Sequence, residues 1–124
     1  MIASIIALVT LSLLAVFQLA LVAGAPLGNY AWGGQHKVLP AKLRFGSACS
    51  ILIYAVFASF ILSKSGIWVI VTNDTVLNVG LWIMTIYLTF GILLNAISRS
   101  KRERYLMTPI SALLAVLFFI VAIA

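Results

Sequence analysis

Four stretches of this chain are long, apolar and free of Asp, Glu, Lys and Arg: Ile2–Ala23, Gly46–Ser63, Thr75–Ile97 and about Leu106–Ala124. A hydrocarbon core of about 30 Å is crossed by roughly 20 helical residues rising about 1.5 Å each. Each stretch is near that length. A soluble domain would carry about a quarter charged residues, whereas only ten of these 124 are charged, eight basic and two acidic. The expected fold is therefore all-α: a single four-transmembrane-helix bundle spanning residues 1–124, with a long cytoplasmic loop between helices one and two.

The charges that remain set an orientation rather than a nucleic-acid surface. Lys37, Lys42 and Arg44 lie between helices one and two; Arg99, Lys101, Arg102 and Arg104 lie between helices three and four. Two crossings separate these loops, so they share a side. Lys64 is the one basic residue on the other side. Under the positive-inside rule both basic loops are cytoplasmic and both termini are outside, in what we read as a bacterial inner membrane. The first apolar run has no basic n-region, and Pro26 follows the small residues Ala23, Gly24 and Ala25. We read it as a retained helix rather than a cleaved leader.

Gly24 and Pro26 end helix one. In the loop that follows, Trp32 stands beside Gly33 and Gly34, with the single His36 and then Lys37 and Pro40. Connections of this length often carry function. Two glycines can take positive φ and turn their N–H groups toward an anion. The competing reading is a tight turn whose glycines pack against helix ends, with the bases held by anionic lipid.

Within the spans, Gly46/Ser50 and Ala55/Ser59 are small-xxx-small pairs suited to close helix packing. Trp68 marks an outer loop lying along the membrane surface, and Asn73 or Asp74 caps helix three, the role expected of Asp74. Gly80, Met84, Tyr87, Gly91 and Asn95 share one face of that helix, expected to point inward because a bare amide in hydrocarbon is costly. Ser100 and Glu103 have capping-box spacing, so helix four is expected to begin before the membrane and to bend at Pro109.

Two strongly polar side chains fall inside spans, Gln18 and Asn95, both toward the basic-loop end. Either they bond to each other or to backbone as polar glue worth about 1 kcal/mol, or they converge with the loop on a ligand site. The candidate ligand-binding set is Gln18, Trp32, Gly33, Gly34, His36, Arg44, Asn95 and Arg99. Metal is disfavoured, since His36 has no second His and Cys49 is the only Cys, short of the three or four ligands a site needs. Cys49 reads as an apolar filler. No cofactor motif, nucleophilic set or carboxylate pair is present, and no cofactor is expected.

In size the chain is similar to the small multidrug exporters, but their embedded helix-one glutamate is replaced by a helix with Gln18 and no acid. A fuller resemblance covers almost the whole chain. "FQLALVAGAPLGNYAWGGQHKVLPAKLRFGS" and "NAISRSKRERYLMTPISALLAVL" resemble an uncharacterised family of small four-helix bacterial integral membrane proteins with GAPxG, WGG, LPxxLR and NxxSRSxxER elements. Those elements fall here on Gly24, Ala25, Pro26, Gly28; Trp32, Gly33, Gly34; Leu39, Pro40, Leu43, Arg44; and Asn95, Ser98, Arg99, Ser100, Glu103, Arg104. The resemblance implies the architecture and no mechanism. The expected function is non-enzymatic binding or transport of a small anionic or lipidic ligand in a cytoplasm-facing pocket. Its competitor is an interaction or regulatory subunit of a larger membrane complex. Membrane lipid is the expected partner, with a homodimer or larger membrane partner as a further expectation. A lipid-active enzyme resting on His36 is the third class.

Overall fold

The computed structural model describes all residues 1–124. It contains four long helices, α1 (Ile2–Val22), α2 (Ala41–Ser65), α3 (Asp74–Ala96) and α4 (Lys101–Ile123), and no strand. All four are long and apolar enough to cross a membrane. Two short 3₁₀ turns, Gly28–Tyr30 and Trp32–Gly34, organise the connection between α1 and α2.

The helix limits follow from local chemistry. Pro40, extended at φ −67° and ψ 163°, is the N-cap of α2, because its fixed φ suits a helix start and it has no N–H to leave unpaired. Helix two thus begins at Ala41, ahead of the apolar run expected from Gly46. Lys42 and Arg44 belong to its first turns rather than to a loop. Helix three is capped by Asn73, whose side chain accepts the Val76 N–H at 3.0 Å. Asp74 does not cap it; it sits in the first turn, where its charge complements the helix dipole. Helix four starts at Lys101, ahead of the apolar run and as the cap spacing predicts, and continues unbroken through Pro109.

The α3–α4 and α1–α2 pairs pack most extensively, α1 also lies on α4, and α2 meets α3 only sparsely. The common core is a layer of Ala7, Leu11, Phe57, Ile61, Leu81, Leu114 and Phe118 with their neighbours. The most buried face of α3 is Leu77, Leu81, Met84, Thr85 and Leu88, rotated partly away from the expected stripe. Of that stripe, Gly80 packs on Phe60, and Tyr87, Gly91 and Asn95 line a cavity. Met84 belongs to both sets, but Tyr87 is 59% exposed. The displacement has a packing cause: α3 is held mainly by α4, so its large aliphatic side chains turn that way, and Tyr87 is left at the thinly packed edge toward α2.

That edge closes only in part. The Phe60 ring lies against Gly80, so close that a Cβ there would fall 2.2 Å from it. Phe57 meets Tyr87 edge-on at 5.8 Å between centroids. At the far end from the basic loops, Ser63 Oγ accepts the N–H groups of Ile70 and Val71 at 3.0 and 2.9 Å. This pins the α2–α3 connection and leaves Trp68 67% exposed, as expected of an interfacial aromatic.

A loop-roofed cavity between four helices

The connection after α1 is folded back into the end of the bundle. Arg44, one turn into α2, donates from Nε to the carbonyl of Val22 at 3.0 Å. The last carbonyls of a helix lack partners within it, and a guanidinium there meets both that need and the helix dipole. Gly24 allows the approach, since a Cβ on it would lie 2.4 Å from an Arg44 nitrogen.

Trp32 is the second anchor. Its Nε1–H donates to Ser47 Oγ at 3.1 Å, and its ring packs on Gly46, where a Cβ would stand 2.9 Å away. Ser47 is fully buried. The small residues at this end of α2 thus receive a tryptophan of the loop rather than another helix.

The third anchor joins the loop to α4. Gly33 donates its N–H to Glu103 Oε2 at 2.9 Å, and Ser100 Oγ donates to the carbonyl of Asn29. Ser100 Oγ also accepts the Glu103 N–H at 3.3 Å. Only half of the expected capping box therefore forms. Ser100 caps the helix, but the Glu103 carboxylate reaches across to the loop instead of back to Ser100. Gly33 and Gly34 do take positive φ, 75° and 71°. Their amides are engaged from within the chain, Gly33 by Glu103 and Gly34 by the carbonyl of Ala31 at 2.9 Å. The expected nest does not form: one amide, that of Gly33, holds an anion, and that anion is the protein's own carboxylate.

Beneath this roof lies a cavity of about 320 Å³. Its roof is Tyr30, Ala31, Trp32 and Glu103; its walls come from all four helices. Thirteen of the nineteen lining residues are hydrophobic and none is Lys or Arg, so the interior suits an apolar body with few polar contacts. Its side wall on α3 includes Tyr87, Phe90 and Leu94, each more than half exposed. The cavity is thus roofed at the basic-loop end and opens sideways along the sparse α2–α3 seam.

The two in-span amides both line it, but they do not bond to each other. Asn95 donates from Nδ2 to Ser111 Oγ at 2.6 Å. Gln18 Oε1 is buried and has no hydrogen-bond partner. Asn95 is joined to α4 through a side chain, neither to Gln18 nor to backbone as the glue reading had it. Gln18 turns an unpaired carbonyl into a mostly apolar space, with Tyr54 beside it.

The remaining members of the expected set divide cleanly. Trp32 lines the cavity. Gly33 and Gly34 lie outside the lining and hold the roof loop to α4 through Glu103 and the close approach of Ser100. Arg44 is a helix cap, also outside the lining. His36 and Arg99 are exposed and contribute nothing to the cavity wall. The chain holds no cluster of three metal-ligating side chains. Sequence reasoning missed Glu103 as a site residue because capping-box spacing explained it fully. The signal that could have found it is the conjunction of one acid in a basic segment with a Gly pair needing an anion. Tyr54 and Ser111 carried no separate signal, since both sit in ordinary apolar helical runs.

The fold and cavity together define a polytopic helical membrane protein with a loop-roofed, laterally open chamber. No protein-family model, curated protein or solved structure matches the chain.

Proposed function

We propose that this protein is a non-enzymatic membrane protein that binds a lipidic ligand, taken from the bilayer through the α2–α3 seam, as a step in its retention or transport. The observation that carries this reading is the unpaired Gln18 carbonyl in a mostly apolar cavity of about 320 Å³. A buried polar atom without a partner costs about 1–3 kcal/mol, and a ligand that supplies the partner recovers that cost. The volume lies at the low end for small-molecule sites. It accommodates a head and the first part of one chain, with the rest of the tail lying in the seam. The absence of Lys and Arg from the lining removes the support for an anionic ligand inside the cavity. The exposure of His36 removes the support for chemistry built on it.

The orientation belongs to the same proposal. Seven bases at the roofed end against Lys64 at the other favour a cytoplasmic roof and external termini, as in a bacterial inner membrane. Membership of the small four-helix family with WGG and NxxSRSxxER elements is likewise proposed. It is supported by the direct contact between those two elements at Gly33 and Glu103.

The test is native mass spectrometry of the purified chain released from a neutral detergent. The wild type should retain a small amphiphile in defined stoichiometry. A Gln18→Leu, Asn95→Leu double variant should lose it while keeping its helical content. Equal retention by a folded double variant would overturn the reading.

A further inference from the structure

The lining of the cavity is specific in a way that apolar volume alone does not require. Six aromatic side chains face it, Phe17, Tyr30, Trp32, Tyr54, Tyr87 and Phe90. Its one charged lining residue is Glu103. In a chain with a net charge of +6, the interior carries the opposite sign from the protein as a whole. Its polar groups include three acceptors: the unpaired Gln18 Oε1, the Asn95 side-chain carbonyl left free when Nδ2 bonds Ser111, and the Glu103 carboxylate. Beside them are the hydroxyls of Tyr30, Tyr54, Tyr87 and Ser111, which can donate or accept. A carboxylate has about four lone-pair sites. The Gly33 N–H takes one of them and the Ser98 hydroxyl lies beside the carboxylate as well, which leaves capacity for a further donor.

Aromatic faces attract cations through their quadrupoles, and acceptors around a carboxylate suit a group that brings several N–H donors. A neutral hydroxyl could satisfy Gln18 but would leave the carboxylate and the aromatic faces without a complement. A carboxylate or phosphate head would meet Glu103 with like charge and find no base. A zwitterionic phospholipid would have to place its phosphate in the same base-free space.

We propose that the cavity selects a single-chain cationic amphiphile, an alkylammonium head seated between Glu103, Gln18 and the aromatic walls with its chain leaving along the α2–α3 seam. This rests on the lipidic-ligand reading above and adds the charge of the head. Glu103 then has two roles in one carboxylate: it holds the roof through Gly33 and is the counter-ion of the ligand. Arrival of the cation competes for the electron density that holds the Gly33 N–H, so roof and occupancy are coupled.

The experiment is equilibrium binding of three probes of equal chain length to the full chain in nanodiscs of uncharged lipid, with empty discs subtracted. The probes are dodecylamine, dodecanol and dodecanoate. The amine is cationic at neutral pH, as is a lysine side chain. Expected is amine binding at least about tenfold tighter than alcohol, with dodecanoate weakest. Glu103→Gln keeps an oxygen acceptor for the Gly33 N–H and removes the charge. It should lower the amine-to-alcohol affinity ratio about tenfold. Equal binding of amine and alcohol by the wild type, an unaltered amine-to-alcohol ratio in Glu103→Gln, or tightest binding of dodecanoate would overturn the cationic assignment while the lipidic reading stands. No binding of any probe above empty discs would overturn both. The wild-type ratio decides the point even if the variant fails to fold.

Discussion

The Glu103 carboxylate accepts the Gly33 N–H at 2.9 Å, joining the first turn of α4 to a loop seventy residues earlier. This bond ties the connection after α1 to the basic segment Arg99–Arg104. Replacing Glu103 with Leu leaves the amide without its acceptor and should lower stability by about 1–3 kcal/mol. Glu103→Gln, which keeps an acceptor, should cost less than half as much. Thermal unfolding in detergent, paired with protease sensitivity of residues 24–40, reads both. Equal melting of the Leu and Gln variants would show that the bond does not hold the roof.

Gly33 and Gly34 separate two costs that usually come together. Both have positive φ, but a Cβ on Gly33 meets nothing within 4 Å, while one on Gly34 falls 2.3 Å from the Ser100 Cβ. Gly33→Ala should cost about 1 kcal/mol, the penalty of left-handed backbone alone. Gly34→Ala should cost clearly more, because the loop must also move off the cap of α4. Denaturant titration of the two variants side by side checks the order.

Gln18→Leu is expected to raise stability, by about 1 kcal/mol, since it removes a buried oxygen without a partner. The same change should lower amphiphile retention. A residue kept at a cost to the fold and needed for binding is the signature of a site. A Leu variant that is less stable than wild type would show that Gln18 is glue.

Much of this architecture is legible in sequence because its cause is one-dimensional. The length of apolar runs sets four helices, Pro40 sets the start of α2, and Ser100 sets the start of α4. The stripe on α3 was legible, but not that Tyr87, Gly91 and Asn95 would line a cavity beside the face packed on α4, because periodicity names a stripe without saying which neighbour it meets. Arg44 and Glu103 were misjudged for a related reason. Each satisfies a local rule, basic flank or capping box, yet its partner is Val22 or Gly33, distant in the chain. The cavity was foreshadowed by Gln18 and Asn95, whose in-membrane amides needed an account. Its lateral opening was not, because it comes from sparse packing between α2 and α3, and no single residue encodes the lack of contact.

Arg44 acts on the end of α1 and not on the ligand. Arg44→Ala should lower the melting temperature through the lost cap, by about 1 kcal/mol, and leave dodecanol binding per folded molecule unchanged. Loss of binding at unchanged stability would place Arg44 at the site instead.

Orientation is checked by thiol labelling in a Cys49→Ser background. His36→Cys and Trp68→Cys both lie at exposed positions on opposite ends of the bundle. A membrane-impermeant maleimide added to intact cells should label position 68 and spare position 36. The reverse pattern would invert the proposed topology.

The cavity itself can be filled without disturbing what surrounds it. Gly91 lines it, and a Cβ built there meets nothing within 4 Å, so Gly91→Leu projects into open space and replaces a poor helix former with a good one. The most direct test follows Trp32 fluorescence in a Trp68→Phe, Trp82→Phe background as a chain-brominated dodecanol is titrated into uncharged nanodiscs. The neutral head makes the result independent of ligand charge. Occupancy of the cavity requires a saturable component of quenching that Gly91→Leu abolishes while its melting temperature holds or rises. Identical quenching curves for the two proteins would contradict the claim that this cavity is where the ligand binds.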